Sequence, residues 1–319
     1  VNAVKPVIVD GITKSFKKTR VLEDVTFSVE DGDIFGFLGP NGAGKTTTLL
    51  IILGLLEADT GAARVFGSPF GEDARIRRRA GVVLDSHGLY ETMTLHENLD
   101  FFARLYGVPA PGARAGEAAE LAKISDRLDT RVGELSHGLK RRGALARALV
   151  TSPDILFLDE PTAGLDPEAQ VDFRELLLRL NRERGITVFF NSHNLEEVQK
   201  LCRTVGVLDK GRLLLYGGLE ELRSDRGPAE NRYELSVTRA EDAGKAEGIL
   251  RSDPGITETV REGMRIRCVA DSGSQILKLL VDAEIGIESF NRYADSLEDV
   301  YLRIVRAAEG PEGIEGGED

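Results

Sequence analysis

The run Gly39-Pro40-Asn41-Gly42-Ala43-Gly44-Lys45-Thr46 has the residue types and spacing to hold a chain of phosphates. Successive backbone N–H groups must turn toward one phosphate, and glycines permit that close approach. A helix that starts near Gly44 aims its positive end at the same oxygens. Lys45 adds a mobile ammonium, the Thr46 hydroxyl suits Mg²⁺, and Thr47 can donate to a phosphate. A second constellation is Ile155-Leu156-Phe157-Leu158-Asp159-Glu160, an apolar run that ends in two acids. In open α/β sheets ligands sit at the carboxyl ends of the strands, where such acids would lie. Asp159 is suited to hold Mg²⁺, through water, and Glu160 to polarise an attacking water as general base.

Three further stretches carry a family resemblance. Leu135-Ser136-His137-Gly138-Leu139 is similar to the signature motif, usually Leu-Ser-Gly-Gly-Gln, of ATP-binding cassette (ABC) proteins. Ala163-Gly164-Leu165-Asp166 resembles their D-loop, and His193 their switch histidine. The resemblance covers about two thirds of the chain, from Val7 to about Arg223. It implies ATP and Mg²⁺ as cofactors, and a head-to-tail pair of cassettes with ATP between them. Ser136 and Gly138 would then face the γ-phosphate held by the other copy, again a helix start meeting an anion. Glu160, His193 and Lys45 would be the catalytic set, with Thr46, Asp159 and Asp85 at the metal. Phe16 corresponds to the aromatic that stacks on adenine, and reads equally well as a strand core residue.

The pattern departs from the family at three positions. His137 replaces a glycine, Leu139 replaces the glutamine of the signature, and Asp85 stands where a glutamine is expected. The expected partners are a second copy or a paralogous cassette, and a separate transmembrane permease. The expected location is the inner face of the cell membrane. A soluble ABC protein acting on nucleic acid would carry two cassettes, long coiled coils or a basic surface. The signature and His193 argue against a kinase or GTPase.

The elements that must position these residues read as follows. Val7–Val29 shows short strands, Ile34–Leu38 a strand, and Lys45–Leu56 a helix. Helices are expected at Leu95–Tyr106, Ala115–Ile124, Ser136–Val150 and Glu168–Arg184. Continuous apolar runs at Ala80–Leu84, Ile155–Leu158 and Ile186–Phe190 imply a parallel sheet covered on both faces. The fold class expected is α/β: a P-loop NTPase core, an N-terminal antiparallel β lobe and a helical lobe over about Thr94–Leu149. The cassette should span 5–223, with a linker at 224–232. A βαββαβ succession over 233–306 suggests a small ferredoxin-like α+β domain, with a disordered tail at 307–319. That domain resembles the accessory domain of a subset of ABC exporter ATPases.

Composition narrows the class. The 319 residues are 41% hydrophobic and 29% charged, ordinary for a globular protein, and the net charge of −12 argues against nucleic acid as a partner. The basic cluster Arg75, Arg77, Arg78 and Arg79 reads as a solvated face. Cys202 and Cys268 lie far apart in no metal or redox spacing, which fits reduced thiols in a cytosolic protein. No stretch resembles a signal peptide, and the most apolar run, Thr46–Leu56, is too short to span a bilayer.

Overall fold

The computed structural model describes residues 4–84, 87–224 and 232–292. The chain divides into two compact units between Leu219 and Glu220. Asp85, much of the expected linker, the end of the expected 233–306 domain and the tail at 307–319 lie outside the described residues.

The first unit is built on a six-stranded sheet in the order β5-β6-β7-β3-β8-β9. Strands β3 (Ile34–Leu38) and β6 (Ile155–Asp159) and strand β7 (Thr187–Ser192) are buried at every residue. Their apolar runs have no polar face because the parallel sheet is covered on both sides. Strands β5 (Ala80–Val83) and β8 (Thr204–Asp209) extend the parallel set, and β9 (Arg212–Gly218) pairs antiparallel with β8. The neighbouring trio β6, β7 and β3 brings three carboxyl ends side by side, from segments far apart in sequence.

A separate antiparallel sheet consists of β1 (Val7–Phe16), β2 (Thr19–Val29) and β4 (Thr60–Val65) in the order β2-β1-β4. The expected short strands are in fact two long ones, kept as a continuous ribbon by register shifts within β1. Phe27 of β2 stacks on Phe35 at 5.3 Å between ring centres, and Phe35 on Phe189 at 5.4 Å. These buried rings join the lobe to the central sheet and remove a large apolar area from water.

Between β5 and β6 the chain forms α3 (Leu95–Leu105), α4 (Pro111–Leu121) and α5 (His137–Leu149). Helix α3 starts with a complete capping box, Thr94 with Glu97. Helix α4 begins earlier than the expected Ala115 because Pro111, preset for a helical φ, occupies its first turn. Helix α1 (Lys45–Ile52) stops short of the expected Leu56, where the Leu55 and Leu56 N–H groups both fold back to the Leu50 carbonyl. Helices α2 (Ala74–Arg78), α6 (Pro167–Arg184) and α7 (Leu195–Leu201) complete this unit, and α8 (Leu219–Ser224) begins at its last residue, Leu219.

The second unit runs β10-α9-β11-β12-α10-β13 from Arg232 to Arg292. Its four strands form one antiparallel sheet in the order β11-β12-β10-β13. Tyr233, Leu235 and Val237 of β10 and Ile266, Cys268 and Ala270 of β12 are buried at every second residue. That alternation turns one face of the sheet toward a core shared with Ala246, Leu250, Ile276 and Leu280 of the helices.

Candidate nucleotide site

Gly39 closes β3, and its N–H donates to the Ser192 carbonyl at the end of β7 at 3.2 Å. A Cβ at position 39 would sit 2.2 Å from the Leu208 carbonyl oxygen, so only glycine fits between these strand ends. The loop then turns through Gly44, at φ 110°, directly into α1 at Lys45. The Lys45 ammonium is buried and donates to the Gly39 carbonyl at 2.7 Å and the Pro40 carbonyl at 3.2 Å. Gly39, Pro40 and buried Ala43 thus frame the loop. Asn41, Gly42, Gly44, Lys45, Thr46 and Thr47 line a cavity of about 670 Å³.

The opposite wall comes from the ends of β6 and β7. Thr46 Oγ1 donates to Asp159 Oδ2 at 3.1 Å, and Asn191 Nδ2 donates to Asp159 Oδ1 at 2.8 Å. A hydroxyl beside a carboxylate is a pair of hard oxygen donors, the kind Mg²⁺ takes together with phosphate oxygens. Glu160 lies 3.5 Å from Lys45 Nζ through Oε1 and 2.9 Å from His193 Nδ1 through Oε2. Its backbone is left-handed, at φ 46°, an unusual conformation for a residue with a Cβ. Such strain costs about 1–3 kcal/mol and persists only where the surroundings impose it. Here the Glu160 N–H donates to the Asn191 carbonyl at 3.1 Å, and Arg141 Nη2 donates to the Glu160 carbonyl at 3.1 Å.

The residues read from the sequence therefore fall into two groups. Phe16, the phosphate loop, Asp159, Glu160 and His193 surround one cavity. Phe16 is 46% exposed, so it is no core residue, and a flat ring at the mouth of the cavity can stack on a planar base. Ser136 and Gly138 line a different cavity, with Leu165 and Asp166. Ser136 caps α5 through the Leu139 N–H, and His137 Nε2 lies 3.2 Å from the Ala163 carbonyl. Within one chain the signature and the phosphate loop line separate cavities. Asp85 lies outside the described residues.

Two contributors were not read from the sequence. Val21 lines the cavity, and Asn191 steadies Asp159, while Ala163, read as the start of the D-loop, lines the cavity too. Asn191 had a legible signal, as a polar residue that extends an otherwise apolar buried run. Behind this wall Glu197 is fully buried, accepting from Thr162 and Ser192. Burial pushes its carboxyl above the ordinary range, while the hydroxyls of Ser192 and Thr162 pull it back.

Comparison with known proteins agrees with this geometry. The ABC transporter family model matches residues 22–163. The Nod factor export ATP-binding protein I of Burkholderia thailandensis is 38% identical over 307 residues, covering 95% of this chain and 97% of that protein. The bacitracin transport ATP-binding protein BcrA of Bacillus licheniformis is 35% identical over 298 residues, covering 92% and 95%. The solved structure of cbiO1 from Clostridium perfringens, part of the ABC transporter complex cbiONQ, superposes with TM-score 0.64 at 27% identity, over 70% of this chain and 92% of that one. The dimeric structure of MJ0796, a bacterial ABC transporter cassette, gives 0.61 at 26%, over 67% and 98%. The chain belongs to the ABC transporter family. It is an ATP-binding, ATP-hydrolysing subunit of that family.

Proposed function

We propose that two copies of this cassette, or one copy with a paralogue, close head to tail on two ATP molecules and drive export through a separate membrane-spanning subunit. The carrying observation is the Lys45–Glu160–His193 cluster in the phosphate-loop cavity, with the signature of the same chain lining another. In this dimer the Ser136 end of α5 from a second chain would complete the cavity. Lys45 leaves the carbonyls of its own loop to meet the β- and γ-phosphates. Glu160 takes the proton of the attacking water, and His193 orients Glu160 and the γ-phosphate. Thr46 and Asp159 would hold Mg²⁺, which neutralises charge on the phosphates. The name of one relative, Nod factor export ATP-binding protein I, supports export as the direction, and that of another, a bacitracin transport ATP-binding protein, supports transport.

An exposed apolar patch supports a membrane partner. Tyr90 is 50% exposed, Leu105 63%, and Phe101, packed edge-on against Tyr90, 39%. Such patches mark sites of protein contact. Among the described residues no helix is long and apolar enough to cross a membrane. The tagged chain, expressed with its native membrane proteins, should retain a multi-span protein that the Phe101→Asp, Leu105→Asp variant loses. Retention of no such protein, or equal retention by the variant, would contradict this patch as the docking face.

The second unit is proposed as an accessory domain with a regulatory or dimer-stabilising role. The residues of the nucleotide cavity all lie in the first unit. A chain that ends near Arg223 should bind ATP with unchanged affinity, read by equilibrium titration. Complete loss of binding by a folded truncation would refute the assignment.

A further inference from the structure

Glu197 is 1% exposed and does not line the nucleotide cavity, yet its carboxylate joins the two segments that carry the reacting groups. Thr162 Oγ1 donates to Glu197 Oε1 at 2.7 Å, two residues beyond Glu160. Ser192 Oγ donates to Glu197 Oε2 at 2.6 Å, one residue before His193. Both bonds are buried and short. The clamp is itself held. Asn194 caps α7 by accepting from the Glu197 N–H at 3.2 Å, and the Asn194 N–H donates to Ser192 Oγ at 3.1 Å. Ser192 also accepts the Gly39 N–H through its carbonyl, so the arrangement continues into the phosphate loop.

We infer that Glu197 is a positioning residue for hydrolysis: by gripping Thr162 and Ser192 at once, it fixes the Glu160 carboxylate against the His193 imidazole. The inference rests on the reading of Glu160 as general base. A buried carboxylate is an expensive way to fill space, since an apolar replacement is often as stable. What a carboxylate adds here is two acceptors at a fixed spacing, one for each segment. The left-handed backbone at Glu160 makes the need specific. A side chain on a strained turn relaxes away from its partner once the segment behind it is released. Misplacement of a reacting group by about 1 Å costs about 10²-fold in rate.

The test compares Glu197→Ala and Glu197→Gln in the full chain, by ATP affinity and by single-turnover hydrolysis, with and without Glu160→Gln. In the otherwise wild-type chain, Glu197→Ala should hydrolyse about 10–100-fold more slowly at unchanged ATP affinity. Glu197→Gln should recover most of the rate, because its amide can accept from one hydroxyl and donate to the other. In the Glu160→Gln background, Glu197→Ala should cause little further loss, since it acts through the group already removed. A wild-type rate in folded Glu197→Ala, a parallel loss of ATP affinity, or an equal fall in both backgrounds would each overturn the inference. If Glu197→Ala does not fold, Thr162→Val and Ser192→Ala each cut one arm. A slower rate at unchanged affinity then supports the clamp, and an unchanged rate overturns it. A wild-type rate in Glu160→Gln alone would instead remove the base assignment, a separate failure.

Discussion

Replacing Glu160 by Gln should leave ATP bound and slow its hydrolysis about 10²–10⁴-fold. The substitution keeps the side-chain length, and the amide can still meet His193 Nδ1, now 2.9 Å from Oε2. It also leaves in place the backbone bonds to Asn191 and Arg141 that hold the left-handed turn. What disappears is the capacity to accept a proton from water. The expected loss corresponds to about 3–5 kcal/mol of barrier, at 1.36 kcal/mol for each factor of ten. Binding is expected to persist because the phosphate grip belongs to Lys45, Thr46 and the loop N–H groups. With closure allowed and hydrolysis blocked, an ATP-bound dimer should accumulate, visible by size-exclusion chromatography. Wild-type turnover in a folded Glu160→Gln chain would sink the assignment.

The parts of this site legible in the sequence are those whose chemistry is encoded by adjacent residues. The phosphate loop is eight consecutive positions, and Asp159 and Glu160 directly follow the apolar run that becomes β6. His193 was legible only through its place after the other motifs. Its contact with Glu160 joins residues 33 positions apart and depends on β6 and β7 being neighbours. Phe16 was ambiguous, because a strand pattern does not say which end of the strand a ring will leave exposed. Its exposure beside the nucleotide cavity rules out the core reading, and stacking on a base is the role proposed for it.

What stayed hidden is mostly polar and buried. Arg141 and Glu197 sit among helical residues that look like solvent-facing charge. Only the packed structure shows Arg141 reaching the Leu84 and Glu160 carbonyls, and Glu197 reaching Thr162 and Ser192. The elements missed outright, β4, α2, α7 and α8, are all short, so none of them shows a hydrophobic period long enough to read. The antiparallel lobe and the parallel core were legible because burial on one or two faces leaves a periodic or continuous apolar pattern.

Composite sites are the central claim, and one mixing experiment tests them directly. A Lys45→Ala chain loses the ammonium that grips the phosphates. A Ser136→Arg chain keeps its own phosphate loop but blocks the helix start that, in the proposed dimer, faces the partner's nucleotide. Alone, each variant forms dimers with two defective sites, and each should hydrolyse ATP at a small fraction of the wild-type rate. In a mixed dimer, one site collects both defects and the other collects neither. The mixture should therefore recover a substantial part of the activity that neither variant has, once subunit exchange is verified by native mass spectrometry. If each chain instead hydrolysed ATP within its own fold, every site in the mixture would remain defective. No recovery in a verified mixture would contradict shared sites.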